Sequence, residues 1–90
     1  MLSLLSANDV QHQLTQAIKD KRKSLKLSRQ ALAYQSTVPA STIKKFETTG
    51  QISLRQFILL WQCVDSLENL IAVIKPQTAQ PTTIAEVLNS

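Results

Sequence analysis

Apolar positions along the chain recur mostly at helical spacing. Val10, Leu14, Ala17, Ile18 and Leu25 outline a first helix from Asp9 to about Ser24. Ser6 or Asn8 supplies its N-cap, and Asp9 lies near its positive end. Before it, Leu2, Leu4 and Leu5 alternate loosely, as in a short extended arm. Ser28 is placed to cap a second, short helix over Arg29 to Ser36, with Leu32 and Ala33 inward and Ala31 small enough for close packing. Thr37-Val38-Pro39 ends that helix, because the residue before a proline is driven out of the α region. Pro39 can then open a third helix at its first position, where no N–H is required. Ile43 and Phe46 form the inward stripe of this third helix, and Gly50 is its stop.

A fourth helix starts near Ser53. From Leu54 to Val64 it is polar only at Arg55, Gln56 and Gln62, so most of its circumference is apolar. Such a helix is normally buried on more than one side. In a small protein one side faces its own core, and a second copy of the chain is the natural cover for the other. Ser66 to Ile74 permits two readings. One is a helix capped by Ser66 with Leu67, Leu70, Ile71 and Ile74 inward. The other is a strand at Leu70 to Ile74 that pairs with its mate across a two-fold axis; the helix is preferred. Lys75-Pro76 ends the domain, taken as residues 1–75, and residues 76–90 read as a mobile tail. Near its end, Ile84, Val87 and Leu88 form a short apolar segment that can dock in a groove.

Ninety residues make one domain with one modest core, and 43% hydrophobic residues is ordinary for a globular chain. One glycine and three prolines leave little material for hairpins. The expected fold is therefore a compact all-α domain of four to five helices. Its single cysteine, Cys63, lies in an apolar run and reads as a buried thiol in a reducing, cytoplasmic setting. The N-terminus has neither the basic region nor the apolar stretch of a signal peptide, and no run approaches a membrane span.

Charge changes the picture more than composition does. Nine of the ten basic residues lie between Lys19 and Arg55, opposed there only by Asp20 and Glu47, so that window carries +7. The remainder sets Lys75 against Asp9, Asp65, Glu68 and Glu86, for −3. A basic middle with an acidic remainder suits a polyanionic partner, although a solvated basic face has the same charge count. Enzyme chemistry finds little support: one histidine, one cysteine, no glycine-rich phosphate loop and no pair of carboxylates at useful spacing.

Two short helices, a tight turn and an exposed polar-basic side resemble the lambda-repressor-like (Cro/CI, XRE) helix-turn-helix family. The resemblance covers about Leu14 to Leu70, with the motif itself over residues 28–48. It rests on "LSRQALA" with Leu32 and Ala33 packed, Val38 after the turn, and "STIKKFE" with Ile43 and Phe46 buried. Arg22 and Glu47 fall where this family often joins its first helix to the end of its third. Three positions depart from the pattern: Thr37 replaces the usual turn glycine, Arg29 the usual glutamine, and Pro39 the Ser or Thr that often opens the third helix. Within the family the chain is similar to the HipB antitoxin branch, through "QLTQAIKDKRKSLKLSRQAL" and "KKFETTG".

The resemblance implies a dimeric, sequence-specific DNA-binding repressor without a cofactor. It further implies an antitoxin that represses its own promoter and binds a HipA-type toxin kinase. A protein-interaction module that neutralises its partner without DNA is the alternative. In the first reading, Ala40, Ser41, Lys44, Lys45 and Thr48 face a major groove of palindromic double-stranded DNA. Lys44 can donate to guanine O6 and N7, Ser41 can donate or accept, and Ala40 can touch a thymine methyl. Lys45 reads a base or holds a phosphate. Further phosphate contacts fall to Ser28 and Arg29 at the start of the second helix, to Lys26, and to Thr48 or Thr49. Homodimerisation is assigned to Leu54–Ile74. Tyr34, Phe46, Phe57 and Trp61 read as core or interface residues, with Tyr34 the one most able to lie outside. His12 reads as a surface residue.

Overall fold

A computed structural model describes residues 4–75, and the expected tail at 76–90 lies outside them. The described chain is all-helical: α1 (Ala7–Ser24), α2 (Arg29–Ser36), α3 (Ala40–Thr49), α4 (Leu54–Val64) and α5 (Leu67–Ile71). There is no strand among the described residues, so Leu70 to Ile74 takes the helical alternative and then three residues of turn.

Each helix begins where its chemistry requires. Ser6 caps α1 in a reciprocal box: the Asp9 amide donates to Ser6 Oγ and the Ser6 amide to Asp9 Oδ2, both at 3.0 Å. This starts α1 two residues before the expected Asp9, since Ser6 rather than Asn8 is the cap. Ser28, Ser53 and Ser66 cap α2, α4 and α5 by accepting from the third amide of each helix. Pro39 is the N-cap of α3 rather than its first residue. Its carbonyl accepts from the Thr42 and Ile43 amides.

The ends are also explicit. At the close of α1, the Lys26 amide donates to the Lys23 carbonyl and the Leu27 amide to the Arg22 carbonyl. This double closure needs a left-handed residue, and Lys26 supplies it at φ 60°. Thr37 does the same after α2 at φ 66°, so the turn keeps the backbone conformation a glycine would adopt. Gly50 ends α3 at φ 81°, as expected. A β-carbon there would sit 3.3 Å from Thr15 Oγ1.

The core is Ile18, Leu32, Val38, Ile43, Phe46, Leu60 and Val64. α2 packs against α3 and α4, α1 against α3 and α4, and α5 against α4. Phe57 meets Phe46 edge-on with centroids 6.2 Å apart and lies 6.0 Å from Trp61. Cys63 is half-buried rather than buried, and desolvation pushes its thiol up.

Several expectations about burial fail. Tyr34 is 89% exposed, on the outer side of α2 and away from the core. Val10, Leu14 and Leu25 are exposed as well. Leu67, Ile71 and Ile74, expected inward, are exposed, because α5 is too short to lay a full apolar stripe on α4. Replacing Lys26 with glycine removes a β-carbon from a left-handed position on the surface. The Lys26→Gly protein should gain about 1 kcal/mol, raising its thermal midpoint by about 4–8 °C in a circular-dichroism melt.

Candidate functional site

α2 and α3 are joined by Thr37, Val38 and Pro39 alone, and their N-termini open onto one shallow recess. The turn is braced from within. Ser36 is buried, and its Oγ accepts the Val38 amide at 3.1 Å. Thr37 Oγ1 donates to the Ser36 carbonyl. Val38 then drops into the core beside Leu32 and Ile43, which sets α3 on α2.

The recess, of about 560 Å³, is lined by Arg22, Ser28, Arg29, Gln30, Ala40, Ser41 and Lys44. Five of the seven residues expected from sequence therefore meet there: Ser28, Arg29, Ala40, Ser41 and Lys44. The first two amides of α2 and of α3, those of Arg29, Gln30, Ala40 and Ser41, have no carbonyl of their own helix to reach, so both helices offer N–H groups and positive dipole ends on this side. Ser28 Oγ already accepts from the Ala31 amide at 3.0 Å, which leaves its hydroxyl hydrogen to donate. Lys44 is exposed and pairs with no acid among the described residues.

Lys45 and Thr48 do not line the recess. Both are exposed on the adjoining row of α3, where Ser41, Lys45 and Thr48 follow one another at helical spacing. Thr48 Oγ1 donates to the Lys44 carbonyl and Thr49 Oγ1 to the Lys45 carbonyl, each at 2.7 Å. These hydroxyls close the last turn of α3. Thr48 and Thr49 instead border a small recess with Gln11, His12 and Gln16. Lys26 is exposed after α1. Gln30 was missed by sequence reasoning. Its signal is its place beside Arg29 in the first turn of α2, on the side that meets α3.

Behind the recess lies a buried ion cluster. Arg22 Nε and Nη2 donate to Glu47 Oε2 and Oε1 at 2.7 and 3.1 Å, and Arg22 Nη1 donates to the Leu27 carbonyl at 2.8 Å. The expected joint between the first and third helices is therefore present. Glu47 Oε1 also accepts from Arg29 Nε at 2.9 Å, a contact the sequence did not suggest. The carboxylate side chain is 1% exposed. Burial pushes the Glu47 carboxyl up, but the hydrogen bonds and charges of Arg22 and Arg29 outweigh it, and the group ends below its ordinary value. A second polar joint ties α1 to the α4–α5 corner. Lys21 Nζ lies 2.9 Å from Asp65 Oδ2 and 5.5 Å from the Trp61 ring centroid. Lys21, the Ser66 amide and Asn69 together lower the Asp65 carboxyl to about 2.

No helix among the described residues is long and apolar enough to cross a membrane. Comparison with protein-family models, with curated proteins and with solved structures returns no match.

Because Glu47 has a depressed pKa in the folded chain, its stabilising contribution is complete above the unfolded value of 4.5 and is lost as the pH falls through the folded value. Thermal midpoints should therefore decline below pH 4.5. The Glu47→Gln protein should be less stable at neutral pH by about 3 kcal/mol, since it strands a buried guanidinium, and should lose correspondingly less on acidification. Melts across the acid range check both.

Proposed function

We propose that this chain is a sequence-specific, dimeric DNA-binding repressor of the helix-turn-helix kind. The observation that carries the reading is the recess itself. Two helix N-termini, Arg29, Lys44, Ser28 and Ser41 converge on one open surface, and Ala40 is the one apolar residue that lines it. Such a surface suits a phosphate backbone at its edge and a base edge where α3 protrudes. Ala40, Ser41, Lys44, Lys45 and Thr48 give α3 a small, polar and cationic outer side, as a recognition helix needs.

The dimer is supported by an apolar surface that shares no residue with this recess. Two apolar recesses adjoin there and share Leu54 and Phe57. One is completed by Gln11, Leu14, Phe46, Gly50 and Ile52, the other by Ile58, Leu70, Ile71, Val73 and Ile74. Leu54 is 75% exposed, Val73 77% and Ile74 74%. A second copy covering this face would present two recognition helices to a palindrome. The likeness to the HipB branch extends the reading to an antitoxin that represses its own promoter and captures a HipA-type toxin kinase.

Two measurements test this. Footprinting on the DNA upstream of the chain's own coding sequence should show a protected palindrome. Lys44→Ala should abolish that protection while helical content is kept, and affinity should fall about a thousandfold between about 50 and about 200 mM salt. Tight binding to the same site by a Ser41/Lys44 double mutant sinks the assignment of α3. Separately, Leu54→Asp places a charge on the apolar face without touching the core. Sedimentation should then show a monomer with an unchanged helical spectrum, whereas a persistent dimer would move the interface elsewhere.

A further inference from the structure

We propose that Glu47 is a positioning residue for Arg29: it grips the guanidinium at Nε and aims the two terminal nitrogens outward as a clamp for a phosphodiester oxyanion. The inference rests on reading the recess as a DNA-backbone site, and it assigns a role to a buried acid that touches no nucleic acid itself.

The two arginines on Glu47 are held differently. Arg22 is held at all three nitrogens, because Nε and Nη2 donate to the carboxylate and Nη1 to the Leu27 carbonyl. Its side chain is 9% exposed. Arg29 is fixed at one nitrogen only, through Nε to Oε1. Its side chain is 39% exposed, and its terminal nitrogens donate to no described residue. Arg29 belongs to the wall that also holds Ser28, Ser41 and Lys44. A free arginine on a surface samples many rotamers and loses that freedom on binding. One anchored at Nε has lost much of it beforehand, and its planar fork matches two phosphate oxygens. Glu47 can do this because its side chain is buried and Arg22 also holds both of its carboxylate oxygens.

The idea makes a prediction opposite in sign to simple electrostatics. Removing an acid beside a cationic surface raises the net charge by one and should tighten binding to a polyanion. If Glu47 positions Arg29, Glu47→Gln should instead weaken binding to a short random-sequence DNA duplex about tenfold. Arg29→Lys, which keeps the charge but not the fork, should weaken it by a similar factor, and the double mutant should be little worse than either single. Equal or tighter binding by Glu47→Gln, or unchanged binding by Arg29→Lys, overturns the proposal. If Glu47→Gln does not fold, nitrogen-15 NMR of Arg29 in the wild type decides.

Nitrogen-15 NMR of the wild-type side chain adds a readout that a merely structural role would not move. On titration with inorganic phosphate, the Arg29 terminal nitrogens should shift while its Nε–H stays hydrogen-bonded. Unmoved Arg29 signals, or an Nε–H released from Glu47, overturn the proposal. A wild type that ignores the duplex but shows this phosphate response refutes the DNA reading and leaves the positioning role standing.

Discussion

The Glu47 carboxylate is the constraint on which the rest of the molecule depends. It sits in the last turns of α3, yet it holds an arginine from the end of α1 and another from the start of α2. Through Arg22 it also reaches the carbonyl of Leu27, in the link between those helices. A charge this well buried is tolerable only because two guanidiniums answer it with directed hydrogen bonds. The apolar core by itself would allow α2 and α3 to slide a little against α1. The ion cluster removes that freedom, since carboxylate and guanidinium match only in a narrow geometry. The helix N-termini that open onto the recess inherit this rigidity.

The short connections work through residues not obviously suited to them. Lys26 and Thr37 take left-handed conformations that glycine adopts with less strain, and Thr37 is β-branched as well. Local hydrogen bonds and packing hold them there. After α1 the backbone closes on Arg22 and Lys23, and after α2 the buried Ser36 hydroxyl receives the Val38 amide. Val38 next enters the core. A turn that delivers a buried side chain on its second residue has little room for another path. Thr37 is thereby held in a left-handed course that glycine adopts with less strain.

Much of this was legible in the chain. The helices from α2 to α4 follow from serine caps, the Pro39 break and Gly50, all of which act within a turn of themselves. Leu32, Ile43 and Phe46 were recognisable as inward from the apolar spacing of α2 and α3. The Arg29–Glu47 contact was not legible, because it joins residues on different helices and depends on how α3 lies across α2. The hydroxyl bonds of Thr48 and Thr49 to the Lys44 and Lys45 carbonyls were not legible for another reason. Threonine near a helix end turns its hydroxyl back on its own backbone, and that local option removes the donor. Tyr34 shows the limit of composition: an aromatic residue suggests burial, but the outer row of a short amphipathic helix faces water whatever occupies it.

The corner at α5 has a dynamic consequence. α5 buries no residue of its own, and its attachments are largely polar: the Trp61 indole donates to the Ser66 carbonyl, and Asp65 gathers Lys21, Ser66 and Asn69. Contacts of this kind are exchanged readily for water, so α5 can detach while Ile18, Leu32 and Leu60 stay packed. In hydrogen-exchange terms it is expected to form a separate opening unit, with protection well below that of α2 and α3. Ile71, Val73 and Ile74 lie in or beside that unit, so one wall of the apolar face at this end of the molecule belongs to its least cooperative part.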